Sequence, residues 1–503
     1  MKPEDSPKQS NLASREGFKV LGSSFRDPSG FVFKNRDGVI LRQINQVYEK
    51  DFLQFKQSGL LDSLIKRKWL IPHEELSLEY RLTDDAIAVL APESIPLIST
   101  PSEWCFSQLK DAALLTLEIA LLSLEHGMIL KDASAFNVQF IGSRPIFIDT
   151  LSFTNYQEGE AWVAYRQFCR HFLAPLALMA KTDIRLAKLI GNEVDGIDLD
   201  LASKLLPSRT RFSLGLLMHL HLNSKFQTSF SKTGKEQARV QAVKSRKITK
   251  AGLFEIIRSL KKTIFTLKWD PVGTQWADYY KDNSYTGQTF ENKQEIVRKL
   301  LGRLQPNTVW DLGANTGVFS KIACESGAYT CSMDMDPACV ERNYLELRGG
   351  NSERILPLVV NLASPTPAIG WNLSERESIL ARGPCHTALA LALIHHLAIG
   401  NNLPFDRIAR CFASTCQHLI MEFVPKSDVQ VQRLLNSRED VFHGYHLDGF
   451  LQAFRGFFEI TASEPVEENG RIIFEMKSRL QVLSQTGKVT VGQGLIRGAQ
   501  SCS

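Results

Sequence analysis

From about Trp269 to Leu480 short apolar runs alternate with helical periods. The β-branched and aromatic run around Trp310 predicts a strand, with a helix from Thr316. Tyr329 to Met333 predicts a second strand, and Pro337 opens the next helix. Ile355 to Val360 predicts a third strand. Thr387 to Leu393 is apolar throughout, the pattern of a strand covered on both faces. A helix over 405–416 leads to a fifth strand, His418 to Phe423. Phe457 to Ala462 and Arg471 to Met476, joined by Glu468-Asn469-Gly470, read as a closing antiparallel hairpin. Alternation of this kind predicts an α/β fold with a largely parallel sheet.

The first half has a different rhythm. Phe31-Val32-Phe33 and Val39-Ile40-Leu41, around Asn35-Arg36-Asp37-Gly38, predict a hairpin. Asp111 to His126 places Leu114, Leu117, Leu121 and Leu124 at helical spacing. From about 156 to 265 the pattern is mostly helical and turns basic towards its end. The expected divisions are a polar, disordered tail over 1–22, a mixed α/β region over 23–155, and a helical region with a basic linker over 156–268. The second α/β region follows over 269–482, with a flexible tail over 483–503.

A chain of 503 residues is too long for one core, which agrees with that division. Net charge of +5 permits an anionic partner without arguing for one. Eleven Lys or Arg fall between Ser231 and Lys268. The simpler reading of that stretch is a solvated linker helix or loop. The sharper one is an RNA- or membrane-facing patch, although no aromatics interleave to stack bases. Nine cysteines without a C-x-x-C pair suggest neither a disulfide framework nor a zinc ribbon. The polar start lacks a signal region, and the longest apolar stretch, Ala112 to Leu124, contains Glu118 and is too short to span a bilayer. The expectation is a cytoplasmic protein without a transmembrane segment.

The candidate chemistry centres on Asp311-Leu312-Gly313-Ala314-Asn315-Thr316-Gly317, an acidic strand end followed by a glycine turn and a helix start. A dinucleotide fingerprint needs glycine at three places, here occupied by Gly313, Asn315 and Val318. The pattern D-x-G-x-N-x-G instead resembles motif I of class I S-adenosylmethionine (SAM) methyltransferases. That resemblance covers roughly 210 residues and implies a Rossmann-like, seven-stranded sheet binding SAM. Asp334 lies 23 positions after Asp311 and takes the place of the acid that accepts both ribose hydroxyls. Met335 stands where an apolar side chain packs on adenine. Asn361 ends the third strand, where the family commonly has Asp reading the adenine amino group. Asp336, before Pro337, reads as a helix cap. Asp311 is expected to meet the methionine ammonium. After the fourth strand come His395 and His396, and one imidazole could serve as a base on an acceptor hydroxyl. No metal site is expected there, because no acidic partner sits at ligand spacing. Trp276, Asp278, Tyr279, Tyr280 and Tyr285 form either a lid over SAM or part of a core.

A second, fainter constellation lies upstream. Asp132, Asn137 and Asp149, on a hairpin after a long helix, resemble the catalytic and metal loops of protein-kinase-like phosphotransferases. The resemblance implies that Asp132 orients a hydroxyl and that Asn137 and Asp149 hold magnesium for ATP. Leu130-Lys131 departs from the family pattern before Asp132, Thr150-Leu151 replaces Phe-Gly after Asp149, and Leu41-Arg42 offers the nearest basic strand residue. Mg-ATP is therefore expected only if this region is an active phosphotransferase.

The combined expectation is a SAM-dependent methyltransferase with an N-terminal α/β accessory region. The acceptor would be a hydroxyl or carboxyl of a small molecule or glycan. The chain looks similar to bacterial nodulation-type methyltransferases with long N-terminal extensions, a likeness that does not fix a substrate. The alternatives are RNA methylation, a bifunctional kinase–methyltransferase, or a SAM-binding scaffold without turnover.

Overall fold

The computed structural model describes residues 17–223, 248–274, 287–348, 353–436, 439–466 and 470–480. The aromatic cluster from Trp276 to Tyr285, the basic stretch up to residue 247 and the tail beyond residue 480 lie outside them.

In the N-terminal region five strands form an antiparallel sheet: β1 (Lys19–Val20), β2 (Gly30–Lys34), β3 (Ile40–Asn45), β4 (His73–Leu76) and β5 (Ala86–Pro92), in the order β1-β2-β3-β5-β4. The hairpin expected around Asp37 is β2 with β3, and Phe33 faces Leu41 across it. Lys19 and Val20, expected to lie in a disordered tail, instead pair with Lys34 and Phe33. Helix α1 (Glu49–Gln57) and helix α2 (Leu60–Lys66) connect β3 to β4. Helix α3 (Phe106–Glu125) begins five residues before the expected start, because Cys105 and Gln108 form a capping box around its first turn.

After α3 come β6 (Met128–Leu130) and the hairpin of β7 (Val138–Ile141) with β8 (Arg144–Phe147), then β9 (Phe153–Asn155), which pairs with β6. The helix Lys250–Thr266 packs on α3 through Leu253, Ile257, Leu260 and Ile264, all fully buried. The C-terminal part of the basic stretch is therefore one wall of the core and not a solvated linker. Arg258 and Lys262 are exposed, and at the edge of the contact Lys261 pairs with Glu118 of α3.

The C-terminal region contains β10 (Thr308–Leu312), β11 (Tyr329–Asp334), β12 (Ile355–Val359), β13 (Cys385–Ala390), β14 (Cys416–Phe423), β15 (Phe458–Val466) and β16 (Arg471–Ser478). They form one sheet in the order β12-β11-β10-β13-β14-β16-β15, parallel except for the last two pairings. This is the Rossmann-like, seven-stranded sheet that the motif resemblance implies. The chain runs outward from β10 to β12 and then returns to the other side of β10 as β13. The strand order thus reverses between β10 and β13, and the crevice beyond their carboxyl ends is where open α/β sheets take ligands.

The two regions share buried polar contacts. Tyr344 donates to Asp111 at 2.7 Å, the Ser107 amide donates to Glu341 at 2.9 Å, and Arg382 pairs with Glu103 at 2.5 Å with both side chains buried. Among the described residues no helix is long and apolar enough to cross a membrane.

Candidate cofactor site

The turn after β10 follows from its residue types. Gly313, Asn315 and Gly317 adopt φ of 77°, 50° and 83°, left-handed values that glycine takes freely and Asn tolerates better than most residues. The amides of Gly313 and Ala314 both donate to the Met333 carbonyl, at 2.8 and 2.9 Å, which ties the turn to the end of β11. A side chain at Gly317 would meet Asn343 at 2.5 Å. The turn therefore needs glycine there for space as well as for conformation.

Asp334 closes β11 and accepts from two amides, Asn315 at 2.8 Å and Asp336 at 2.8 Å. Asp336 in turn caps the following helix by accepting from the Ala338 amide at 2.9 Å. Asp311 is buried and accepts from the Ser320 hydroxyl at 2.6 Å. Burial pushes the Asp311 carboxyl up to about 7, and the nearby Asp334 charge adds to the rise, while Ser320 and Lys293 oppose it. Burial likewise pushes Asp334 up to about 6 against the pull of its amide donors. Two carboxylates held in one dry corner at that cost favour a cationic ligand.

They face a cavity of about 340 Å³ that runs along the carboxyl ends of β10, β11 and β13. Every cofactor residue expected from the sequence lies on its wall except Gly317, which shapes the turn beneath it: Asp311, Gly313, Asn315, Asp334, Met335 and Asn361. Met335 is half exposed on that wall. The Asn361 side-chain carbonyl accepts from the Ala363 amide at 3.0 Å, so part of its capacity goes to its own turn.

The two histidines separate. His396 lines the cavity, with its ring centroid 4.1 Å from that of His395. His395 is fully buried behind it, outside the cavity wall, and neither ring nitrogen has a hydrogen-bond partner among the described residues. Burial drives His395 well below the usual histidine range, and it lowers His396 to about 4. Both rings are therefore neutral at pH 7, and only His396 can reach a ligand.

Lys293, which the sequence reading missed, also lines the cavity. It is buried on the helix Gly287–Leu304 and pairs at 2.6 Å with Glu422, itself fully buried near the end of β14. Glu422 also accepts from Arg471 at 3.3 Å and from the Ala392 amide at 2.7 Å. Ala392 and Leu393 form part of the wall, so this ionic group fixes the loop after β13 against the cavity. The signal available was an acid inside the apolar run Met421-Glu422-Phe423.

Asp132, Asn137 and Asp149 are also brought together, held to the five-stranded sheet through Arg42. Asp149 pairs with Arg42 of β3 and accepts from Ser152, whose hydroxyl receives the Asn137 amide at 3.1 Å. Asp132 accepts from the Ser134 amide at 2.9 Å. Arg42 outweighs burial and holds Asp149 below the usual carboxylate value, whereas burial raises Asp132.

The chain is 35% identical over 446 residues to the nodulation protein NoeA of Rhizobium meliloti (strain 1021), spanning 88% of this chain and 92% of that protein. No family model matches it. Solved structures resemble part of it, among them the following two. One is magnesium protoporphyrin IX methyltransferase (ChlM) from Synechocystis PCC 6803 with bound SAH, at 16% identity, 40% of this chain, 92% of that chain and a TM-score of 0.30. The other is the N-methyltransferase NodS from Bradyrhizobium japonicum WM9, at 7% identity, 38% of this chain, 97% of that chain and a TM-score of 0.29.

Proposed function

The chain belongs to the family of the nodulation protein NoeA, and from that premise we propose that it is a SAM-dependent methyltransferase. The observation that carries the proposal is the pair Asp311 and Asp334. Two buried carboxylates with raised pKa values flank a left-handed turn at the reversal point of a seven-stranded sheet, and both face one cavity. The residues fit SAM. Asp334 offers an acceptor for the ribose hydroxyls, and Met335 and Leu362 offer apolar surface to adenine. Asp311 complements the methionine ammonium. Lys293 places a positive group on the same wall, suited to the methionine carboxylate. When bound, SAM supplies a methyl group carried on a positively charged sulfur.

The chain's own contribution is alignment and exclusion of water. Leu393, Leu397 and Leu434 make the wall around His396 apolar. A neutral His396 imidazole there can accept a hydrogen bond from an acceptor hydroxyl and orient its oxygen. Because the NoeA relative is a nodulation protein, we place the acceptor among the small molecules or glycans of that process, with a hydroxyl or carboxyl as the methylated group. RNA is the weaker reading. The described part of the basic stretch that suggested it is a helix packed on α3.

The test is methyl transfer from labelled SAM into cell extract, fractionated into RNA, protein, glycan and small molecules. Label in the glycan or small-molecule fraction, lost with Asp311→Ala, supports the proposal. Label confined to RNA or protein would replace the acceptor class, and no label in any fraction would leave a binding scaffold without turnover.

A further inference from the structure

The helical segment over 199–222 turns polar side chains inward and apolar ones outward. Leu214–Leu216 and Leu217–Leu222 run as one helix, the second part wound as a π-helix. His219 and His221 are buried on its inner side. His219 shares hydrogen bonds of 2.8 Å with the hydroxyls of Tyr165 and Ser259, and His221 bonds Ser203 at 2.8 Å and Thr210 at 2.9 Å. A side chain at Gly215 would meet the Thr263 hydroxyl at 2.1 Å, so this helix sits closely on the helix Lys250–Thr266. Rolling it to bury its leucines would break all four bonds and leave two buried imidazoles unsatisfied. Its rotation is therefore fixed.

The outer face carries Leu214, Met218 and Leu222, four residues apart and all exposed. Phe212 leads into it and is 93% exposed, beside Leu214 at 70%. Leu201 and Leu205, also four apart, are exposed on the helix Leu199–Leu205, which the Ser203–His221 bond ties to the first. A single exposed leucine needs no explanation, but six large apolar side chains exposed between 201 and 222 mark a surface that something covers.

The charges beside this face have one sign. No Asp or Glu occurs from 201 to 223. Arg209 and Arg211 are exposed just before Phe212, and neither has an acidic partner among the described residues. The sequence over 224–247 adds seven Lys or Arg against one Glu. Apolar side chains beside unpaired arginines match the two-part chemistry of an anionic lipid surface. Acyl chains take Phe and Leu, and headgroup phosphates take the guanidinium groups. A second copy docked face to face would instead set arginines against arginines. No described helix is long and apolar enough to cross a membrane, so the contact lies in the interface plane. We propose that Phe212, Leu214, Met218 and Leu222, with Arg209 and Arg211, form a docking face for an anionic membrane surface. None of these residues lines the cofactor cavity, and the inference does not depend on methyl transfer.

Flotation of the full chain with lipid vesicles tests it. Wild type should float with phosphatidylcholine vesicles containing about one third phosphatidylglycerol, and stay behind with pure phosphatidylcholine. Phe212→Ser combined with Leu214→Ser and Met218→Ser should weaken binding to the anionic vesicles roughly tenfold or more. Arg209→Glu with Arg211→Glu should weaken it by a similar factor, and this variant decides the matter if the serine variant folds poorly. Both sets change exposed side chains, so SAM affinity and the urea midpoint should stay close to wild type. No flotation of wild type would overturn the proposal. So would full binding by either folded variant, because lipid would then be held without this face. Self-association of wild type that the serine variant abolishes, without flotation, would assign the face to a second copy and overturn it too.

Discussion

The amide of Asn315 donates to the carboxylate of Asp334 across 2.8 Å, joining the turn after the first parallel strand to the end of the second. That bond orients one carboxylate oxygen by fixed backbone, while Asp336 holds the other. The acid is thereby set before any ligand arrives; its raised pKa comes from burial, which the two amide donors only partly offset.

The first prediction concerns pH. Asp311 and Asp334 have folded-state values of about 7 and about 6, above the ordinary 3.8. Their neutral forms are favoured in the unliganded fold, so their contribution to stability is complete below pH ~4 and is lost as pH rises through 6 to 7. A cationic ligand favours the ionised forms and should have the opposite dependence. SAM affinity should rise between pH 5.5 and 8, by up to roughly tenfold per pH unit for each carboxylate that must ionise. Calorimetry across that range should show proton release on binding near pH 6. A flat profile would mean that these carboxylates do not meet the ligand's charge.

The second concerns the buried ion pair. Lys293→Met leaves Glu422 with Arg471 and the Ala392 amide but without the ammonium, and Glu422→Gln leaves Lys293 with a neutral partner; Arg471 retains Asp428 at 2.8 Å. Removing one member of such a pair costs about 3–5 kcal/mol when the other stays charged and buried. Glu422→Gln should therefore lower the unfolding midpoint in denaturant markedly and weaken SAM binding through the loop at Ala392. The double change of Lys293→Met with Glu422→Gln should recover part of the stability. A thermal or urea melt of the three variants measures this, and a double variant destabilised by the sum of the two single losses would show that the pair is not coupled.

The third concerns the turn. Gly317 has φ 83° and its missing side chain would lie 2.5 Å from Asn343. Gly317→Ala adds left-handed strain of about 1–2 kcal/mol and a clash on top of it. Stability should fall by at least that amount in urea unfolding, and SAM affinity should fall with it. The same substitution at Gly302, inside the helix Gly287–Leu304 where nothing lies within reach and φ is not left-handed, should leave SAM affinity unchanged and raise stability by about 0.5–1 kcal/mol.

Local chemistry made much of this legible in the sequence. Left-handed positions at Gly313, Asn315 and Gly317 are written in residue type, and Asp334 stands at a fixed distance down the chain from Asp311. The apolar run at Leu389 marks a strand paired on both sides. What could not be read locally was long-range pairing. Lys293 and Glu422 are 129 residues apart, and a lysine on an amphipathic helix looks like a surface residue until its partner is known. In the basic stretch, charge drew attention away from Leu253, Ile257, Leu260 and Ile264, whose helical spacing was the better guide. The adjacent histidines looked equivalent, but the turn after β13 buries His395 and presents His396.

The central claim is that Asp334 and the turn it orients hold SAM. Calorimetric titration of the full chain with SAM near pH 8, beside Asp334→Ala, tests it most directly. Wild type should bind one SAM per chain. Asp334→Ala should bind roughly tenfold to a hundredfold more weakly, the loss expected for charged hydrogen bonds of about 1.5–3 kcal/mol. The variant should lose about 1–3 kcal/mol of stability, because the Asn315 and Asp336 amides lose their acceptor, yet still unfold in one cooperative transition in urea. Equal affinity in the two proteins, or no binding by wild type, would contradict the account.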